Sequence, residues 1–134
     1  MRVTAPEEII EYIGDAKVVA FDFETAPTEG WREDPLAALD AHKAEITGVS
    51  LSVKAGTGIY VPLGHTDGKN AEAGKVIPVI RDMVWENENV VKAAHNLVFE
   101  AMFLYAHGIV LREPVYDTIA AAQMTKKDEK DGKR

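Results

Sequence analysis

The eight residues Lys17–Glu24, KVVAFDFE, constrain the fold of this chain more than any other segment. They are rich in β-branched and aromatic residues, which marks a strand, and the two faces of that strand differ sharply. Side chains alternate along a strand. Phe21 and Phe23 therefore point into a core, while Asp22 and Glu24 share the opposite face with their Cα atoms about 7 Å apart. Neighbouring carboxylates repel each other unless a cation lies between them, and hard divalent ions such as Mg²⁺ or Mn²⁺ favour all-oxygen sites of this kind. A solvated strand face is the simpler explanation of an isolated D-x-E, and the central position of this strand weakens it.

The segments around that strand set the fold class. Pro6 to Tyr12 reads as a first helix, with Thr4 as cap and Ile9, Ile10 and Ile13 on one face. Between Ala26 and Glu45 lies a long connection in which Asp34-Pro35 opens a short helix, LAALDAH. Ile46–Val53 and Gly58–Leu63 are strands joined by Lys54-Ala55-Gly56-Thr57, a hairpin signature that makes them antiparallel neighbours. A helix then runs to about Asn87 on Val76, Ile77, Ile80, Val84 and Trp85, with Pro78 expected in its first turn. Val90 to Ala94 is a short buried strand, Asn96 to His107 a helix ended by Gly108, and Asp117 opens a last helix, DTIAAAQM. Early strands with a hairpin, then alternating helices and strands, predict an α/β domain: a mixed sheet of hairpin and parallel strands flanked by helices. Thr125–Arg134 hold eight charged residues and nothing apolar, and read as a solvated tail.

Glu100 is the second anomaly. It is the only polar residue in LVFEAMFL, Leu97 to Leu104, a helix that is apolar nearly all round and is expected to be buried. Its neighbours three and four positions away are Leu97, Phe103, Asn96 and Leu104, so no basic residue of the same helix neutralises it. A metal ion, or a cation from elsewhere in the fold, is needed to offset the several kcal/mol cost of a buried unpaired carboxylate. Asn96, one turn earlier, suits a helix cap and a site residue equally. The four histidines show no metal-ligand spacing, and no serine or cysteine nucleophile arrangement is present.

Composition narrows the classes. A chain of 134 residues, 46% hydrophobic and 28% charged, fits one globular domain. No apolar run nears the ~20 residues that span a bilayer, and the N-terminus lacks the apolar core of a signal peptide. The absence of cysteine fits a reducing cytoplasm and excludes thiolate metal sites. A net charge of −7 argues against gripping nucleic acid through a basic surface, yet leaves room for an acidic pocket that works through divalent cations.

These residues match a known pattern in order. AFDFET resembles the first motif, D-x-E-T, of the proofreading 3′–5′ exonuclease domain of the DNA polymerase I family, a member of the DEDD, ribonuclease H-like superfamily. KAAHNLVFEAMFLYAHGI resembles the second motif, VYDTIAAAQM the helix that follows it, and ITGVSLSVKAGTGIYVPLGH the intervening hairpin. The resemblance implies a ribonuclease H-like fold and removal of nucleotides from a single-stranded DNA 3′ end. It further implies two Mg²⁺ or Mn²⁺ ions held by Asp22, Glu24 and Glu100 as catalytic residues. Thr25, Asn96, Phe99 and, beside them, His95 would then contact the terminal nucleotide.

Two departures stand out. Glu100 replaces the usual Asp, a methylene longer. The third motif, Tyr-x-x-x-Asp, is absent: Tyr12, Tyr60, Tyr105 and Tyr116 are followed at that spacing by Ala16, Gly64, Ile109 and Ala120. On this reading residues 1–125 form a partial exonuclease domain lacking its C-terminal part, and 126–134 a charged tail. The isolated chain is expected to be weakly active or inactive. Its partner would be the remainder of a polymerase, in the same or a separate chain, with self-association through the uncovered sheet as another outcome. A non-catalytic module binding DNA or a polymerase, and a ribonuclease D-like enzyme acting on RNA, are the competing readings.

Overall fold

In the computed structural model the described residues are 1–34, 36, 40 and 43–118. They form a five-stranded mixed sheet whose first strand, β1 (Val18–Pro27), lies in the middle. On one side β1 pairs antiparallel with β2 (Ala44–Ser52), which pairs antiparallel with β3 (Ile59–Pro62). On the other side it pairs parallel with β4 (Val91–Ala94), and β4 pairs parallel with β5 (Val115–Asp117). The strand order is thus β3-β2-β1-β4-β5. The expected hairpin is present: Gly56 takes φ 81° in its turn, and the Ser52 hydroxyl ties the loop by donating to the Lys54 and Thr57 carbonyls at 2.9 and 2.7 Å.

Alternation along β1 decides which face is covered. Val19, Phe21 and Phe23 are buried, whereas Asp22 and Glu24 are exposed on the other face. On the buried side Phe21 and Phe23 meet Trp85 edge-on, with ring centroids 6.0 and 5.7 Å apart, in the tilted geometry that aromatic pairs prefer. Helices α1 (Pro6–Ile13) and α2 (Ala73–Ile80) lie on this side and contribute Ile9, Ile13, Val76 and Ile80. Each such side chain contributes roughly 1.5–3 kcal/mol by leaving water.

Several local expectations are corrected. The cap of α1 is Ala5 rather than Thr4; Ala5 has no side-chain acceptor, and the Glu8 carboxylate instead reaches back to accept from the Ala5 N–H at 3.3 Å. Ile10 is 46% exposed, because α1 turns only Ile9 and Ile13 inward. Pro78 sits inside α2 rather than in its first turn, since the helix starts at Ala73. A π-type turn, Arg81–Trp85, follows directly, closed by Glu86 N–H donating to the Arg81 carbonyl at 2.8 Å. The helix expected at Pro35–His42 has only Asp34 and isolated positions described. There Asp34 Oδ1 accepts from Leu36 N–H at 2.9 Å, as a cap would. The remainder of that helix, the continuation of DTIAAAQM and the charged tail lie outside the described residues.

Helix α3 (Leu97–Ala106) departs most from expectation. Glu100, Phe103 and Leu104 are buried, but Val98, Met102 and Tyr105 are 68%, 52% and 79% exposed. Among the described residues the helix packs on one face only, so its all-round apolar sequence does not translate into all-round burial. Lys92 of β4 is fully buried, with Nζ donating to the Asn87 and Arg112 carbonyls at 2.5 and 2.6 Å. No described helix is long and apolar enough to cross a membrane.

Candidate active site

Asp22 comes from the middle of β1 and Glu100 from the first turn of α3, and the fold sets their carboxyls close enough for Asp22 to act on the protonation of Glu100. Glu100 is 1% exposed. Its pKa is pushed up to about 8, first by burial and then by the hydrogen bond and negative charge of Asp22; a bond from the Phe23 N–H acts in the opposite direction. Without a cation, Glu100 therefore keeps its proton above the ordinary carboxylate range. Glu100 Oε2 is buried and has no hydrogen-bond partner among the described residues. An orphaned acceptor on a buried acid, beside a second carboxyl, has the donor chemistry of a hard divalent cation site.

Glu24 is engaged elsewhere. Its Oε2 accepts a hydrogen bond from the Tyr60 hydroxyl, and His65 Nε2 lies 3.5 Å away. Tyr60 and His65 also hydrogen-bond each other. Burial and the neighbouring Glu24 push the Tyr60 phenol far up, so it stays a donor at neutral pH. Among the described residues, no three Asp, Glu or His side chains converge as a ready metal cluster. The acids fit a divalent ion in kind and in their orphaned oxygen, while Glu24 stands apart from the Asp22–Glu100 pair.

The neighbouring residues take distinct places. A register shift between Glu24 and Thr25 bulges the β1–β2 ladder beside the acids, a feature that re-aims side chains near many active sites. Asn96 caps α3, its Oδ1 accepting from Phe99 N–H at 3.4 Å. Phe99 is half-buried against Phe103, with ring centroids 4.9 Å apart. His95 Nδ1 is 3.0 Å from Thr118 Oγ1 and lines a groove of about 510 Å³ that also takes in Asp22, Ser50 and Tyr60 on the open sheet face. Sequence reasoning missed Tyr60 and His65. The available signal was Gly48, a glycine inside a strand, which often marks a close approach of another group.

This strand order puts Asp22 and Glu24 on the central strand and Glu100 on the helix that follows its parallel neighbour β4. The chain belongs to the 3′–5′ exonuclease family of the DNA polymerase I type, whose sequence profile matches residues 2–132. DNA polymerase I of Chloroflexus aurantiacus is 27% identical over 121 residues, covering 90% of this chain and 12% of that one. For DNA polymerase I of Borreliella burgdorferi the identity is 25% over 118 residues, covering 88% and 12%. The chain thus spans 12% of the length of these curated relatives. Brucella melitensis NrnC shares the fold with a TM-score of 0.59 at 20% identity, over 94% of this chain and 51% of its own.

Proposed function

We propose that this chain supplies the metal-binding acids of a two-metal 3′–5′ exonuclease acting on DNA 3′ ends, with Asp22, Glu24 and Glu100 as ligands of Mg²⁺ or Mn²⁺. The observation that carries the reading is the buried Glu100 carboxyl beside the exposed Asp22, with one Glu100 oxygen left unpartnered among the described residues. When bound, the ions supply an activated water and stabilise the leaving oxygen of an in-line displacement. The chain's own residues bring the acids together and frame the approach to them. Among the described residues Asp22 and Glu100 form no ion pair with a basic side chain, and Glu24 stands two residues along β1. Thr25 at the bulge, with Asn96 and Phe99 at the start of α3, are read as contacts to the terminal nucleotide. An aromatic face at Phe99 suits any base, because stacking is tolerant of sequence. His95 borders the open groove.

DNA rather than RNA is favoured by the relatives, which are DNA polymerases. NrnC has been solved with bound Mg²⁺ and bound to pGG, which supports a metal- and nucleic-acid-binding use of this fold. In this reading the rest of a polymerase is the partner that completes the catalytic set, so the chain alone binds a 3′ end better than it cleaves it.

The test is fluorescence anisotropy with 5′-labelled single-stranded DNA and RNA in Mn²⁺ or in chelator. Metal-dependent binding of DNA with a free 3′ hydroxyl is expected, weaker when that end is phosphorylated and lost in Asp22→Ala. Binding indifferent to metal and to the 3′ end would overturn the proposal, and a clear preference for RNA would overturn its substrate.

A further inference from the structure

We infer that Tyr60 and His65 are positioning residues for Glu24, joined in a hydrogen-bond chain that holds its carboxylate ready for a cation. The inference rests on the proposed role of Glu24 as a metal ligand. Tyr60 stands on β3 and Glu24 on β1, with β2 between them. The β2 residue opposite Glu24 is Gly48. A Cβ at that position would overlap the Tyr60 hydroxyl and ring carbons, so the phenol crosses β2 through a gap that only glycine leaves open. A strand-spanning reach of this kind, with glycine at the crossing point, is unneeded for sheet stability.

The direction of the hydrogen bonds follows from the groups. An ionised Glu24 only accepts, so Tyr60 gives it the phenolic proton, and the phenol oxygen accepts from His65 Nε2–H. Both links are anchored. Tyr60 N–H donates to the Met1 carbonyl, and the Tyr60 carbonyl accepts from Val3 N–H, each at 2.8 Å. The His65 backbone is clamped by Asn70, which accepts its N–H at 2.9 Å and donates to its carbonyl at 3.0 Å. His65 Nδ1 lies 3.6 Å from Asp67 Oδ1, and the ring stands edge-on to Tyr60. One oxygen of an otherwise exposed glutamate is thereby fixed, which leaves Oε1 for a cation. Ordering the side chain in advance lowers the entropy lost on binding, and donors behind a ligand commonly govern 10–100-fold in metal affinity.

Calorimetric titration of Mn²⁺ into the parent chain, Glu24→Gln, Tyr60→Phe and His65→Gln tests the inference, with metal-free melting as the control for folding. Tyr60→Phe is expected to weaken Mn²⁺ binding about tenfold while melting stays near the parent's. Gly48→Ala should reproduce that loss in the parent and add little in Tyr60→Ala, where the ring it displaces is gone. Mn²⁺ uptake that is lost in Glu24→Gln but unchanged or stronger in Tyr60→Phe overturns the inference alone. No uptake by the parent, or uptake indifferent to Glu24→Gln, overturns the ligand reading and the inference with it.

Discussion

Glu100 holds a proton that the unfolded chain would release. With its pKa pushed from the ordinary 4.5 to about 8, the folded state binds more protons than the unfolded state between those values. Stability of the metal-free chain must therefore fall as pH rises from about 4.5 to about 8, on the order of 1 kcal/mol per unit at most. Below 4.5 both states are protonated and the contribution is flat. Glu100→Gln, which is neutral at every pH, should raise the metal-free melting temperature at pH 8 and change it little at pH 4.5, as thermal melts would show. An equal effect at both pH values would contradict the assignment of the proton to Glu100. Asn96 offers a second check at this scale: Asn96→Ala removes the α3 cap and should cost about 1 kcal/mol in denaturant unfolding.

At the scale of elements, local pattern made the strands and the hairpin legible. Residue alternation placed Phe21 and Phe23 inward and Asp22 and Glu24 outward, because period-two burial is a property of the strand alone. Pro78 was misplaced because the start of α2 depends on how Ala71 packs and pairs, its N–H donating to the Pro62 carbonyl at 2.7 Å. A proline inside a helix leaves the carbonyl four residues earlier without its donor. Pro78→Ala should therefore stabilise the chain by roughly 1–3 kcal/mol, a gain read from denaturant midpoints. Lys92 was read simply as part of a buried strand, since nothing local reveals that the Asn87 and Arg112 carbonyls would converge on its ammonium. Lys92→Met keeps the stem but strands both carbonyls, and is expected to destabilise by about 2–3 kcal/mol in the same measurement.

Across the whole molecule, the candidate site is an assembly of parts that are distant in sequence. Asp22 and Glu100 are 78 positions apart and meet because β4 runs parallel beside β1 and delivers α3 to its end. The acids themselves were legible, as carboxylates out of place in apolar segments. Tyr60 and His65 were not, because their relation to Glu24 exists only once β3, β2 and β1 lie side by side. Likewise, the exposure of Val98, Met102 and Tyr105 depends on which surfaces α3 meets, which its own sequence does not specify. A net charge of −7 gains meaning at this scale too, since an acidic site can approach a phosphate backbone only with cations in place. The central claim is that Asp22, Glu24 and Glu100 together hold a divalent ion. Its most direct test is the proton count on Mn²⁺ binding at pH 7, taken from titrations in two buffers of different ionisation enthalpy. Binding should release about one proton per site, the one Glu100 holds, and both uptake and release should vanish in Asp22→Ala. Absence of Mn²⁺ binding, or binding without proton release that persists in Asp22→Ala, would contradict the account.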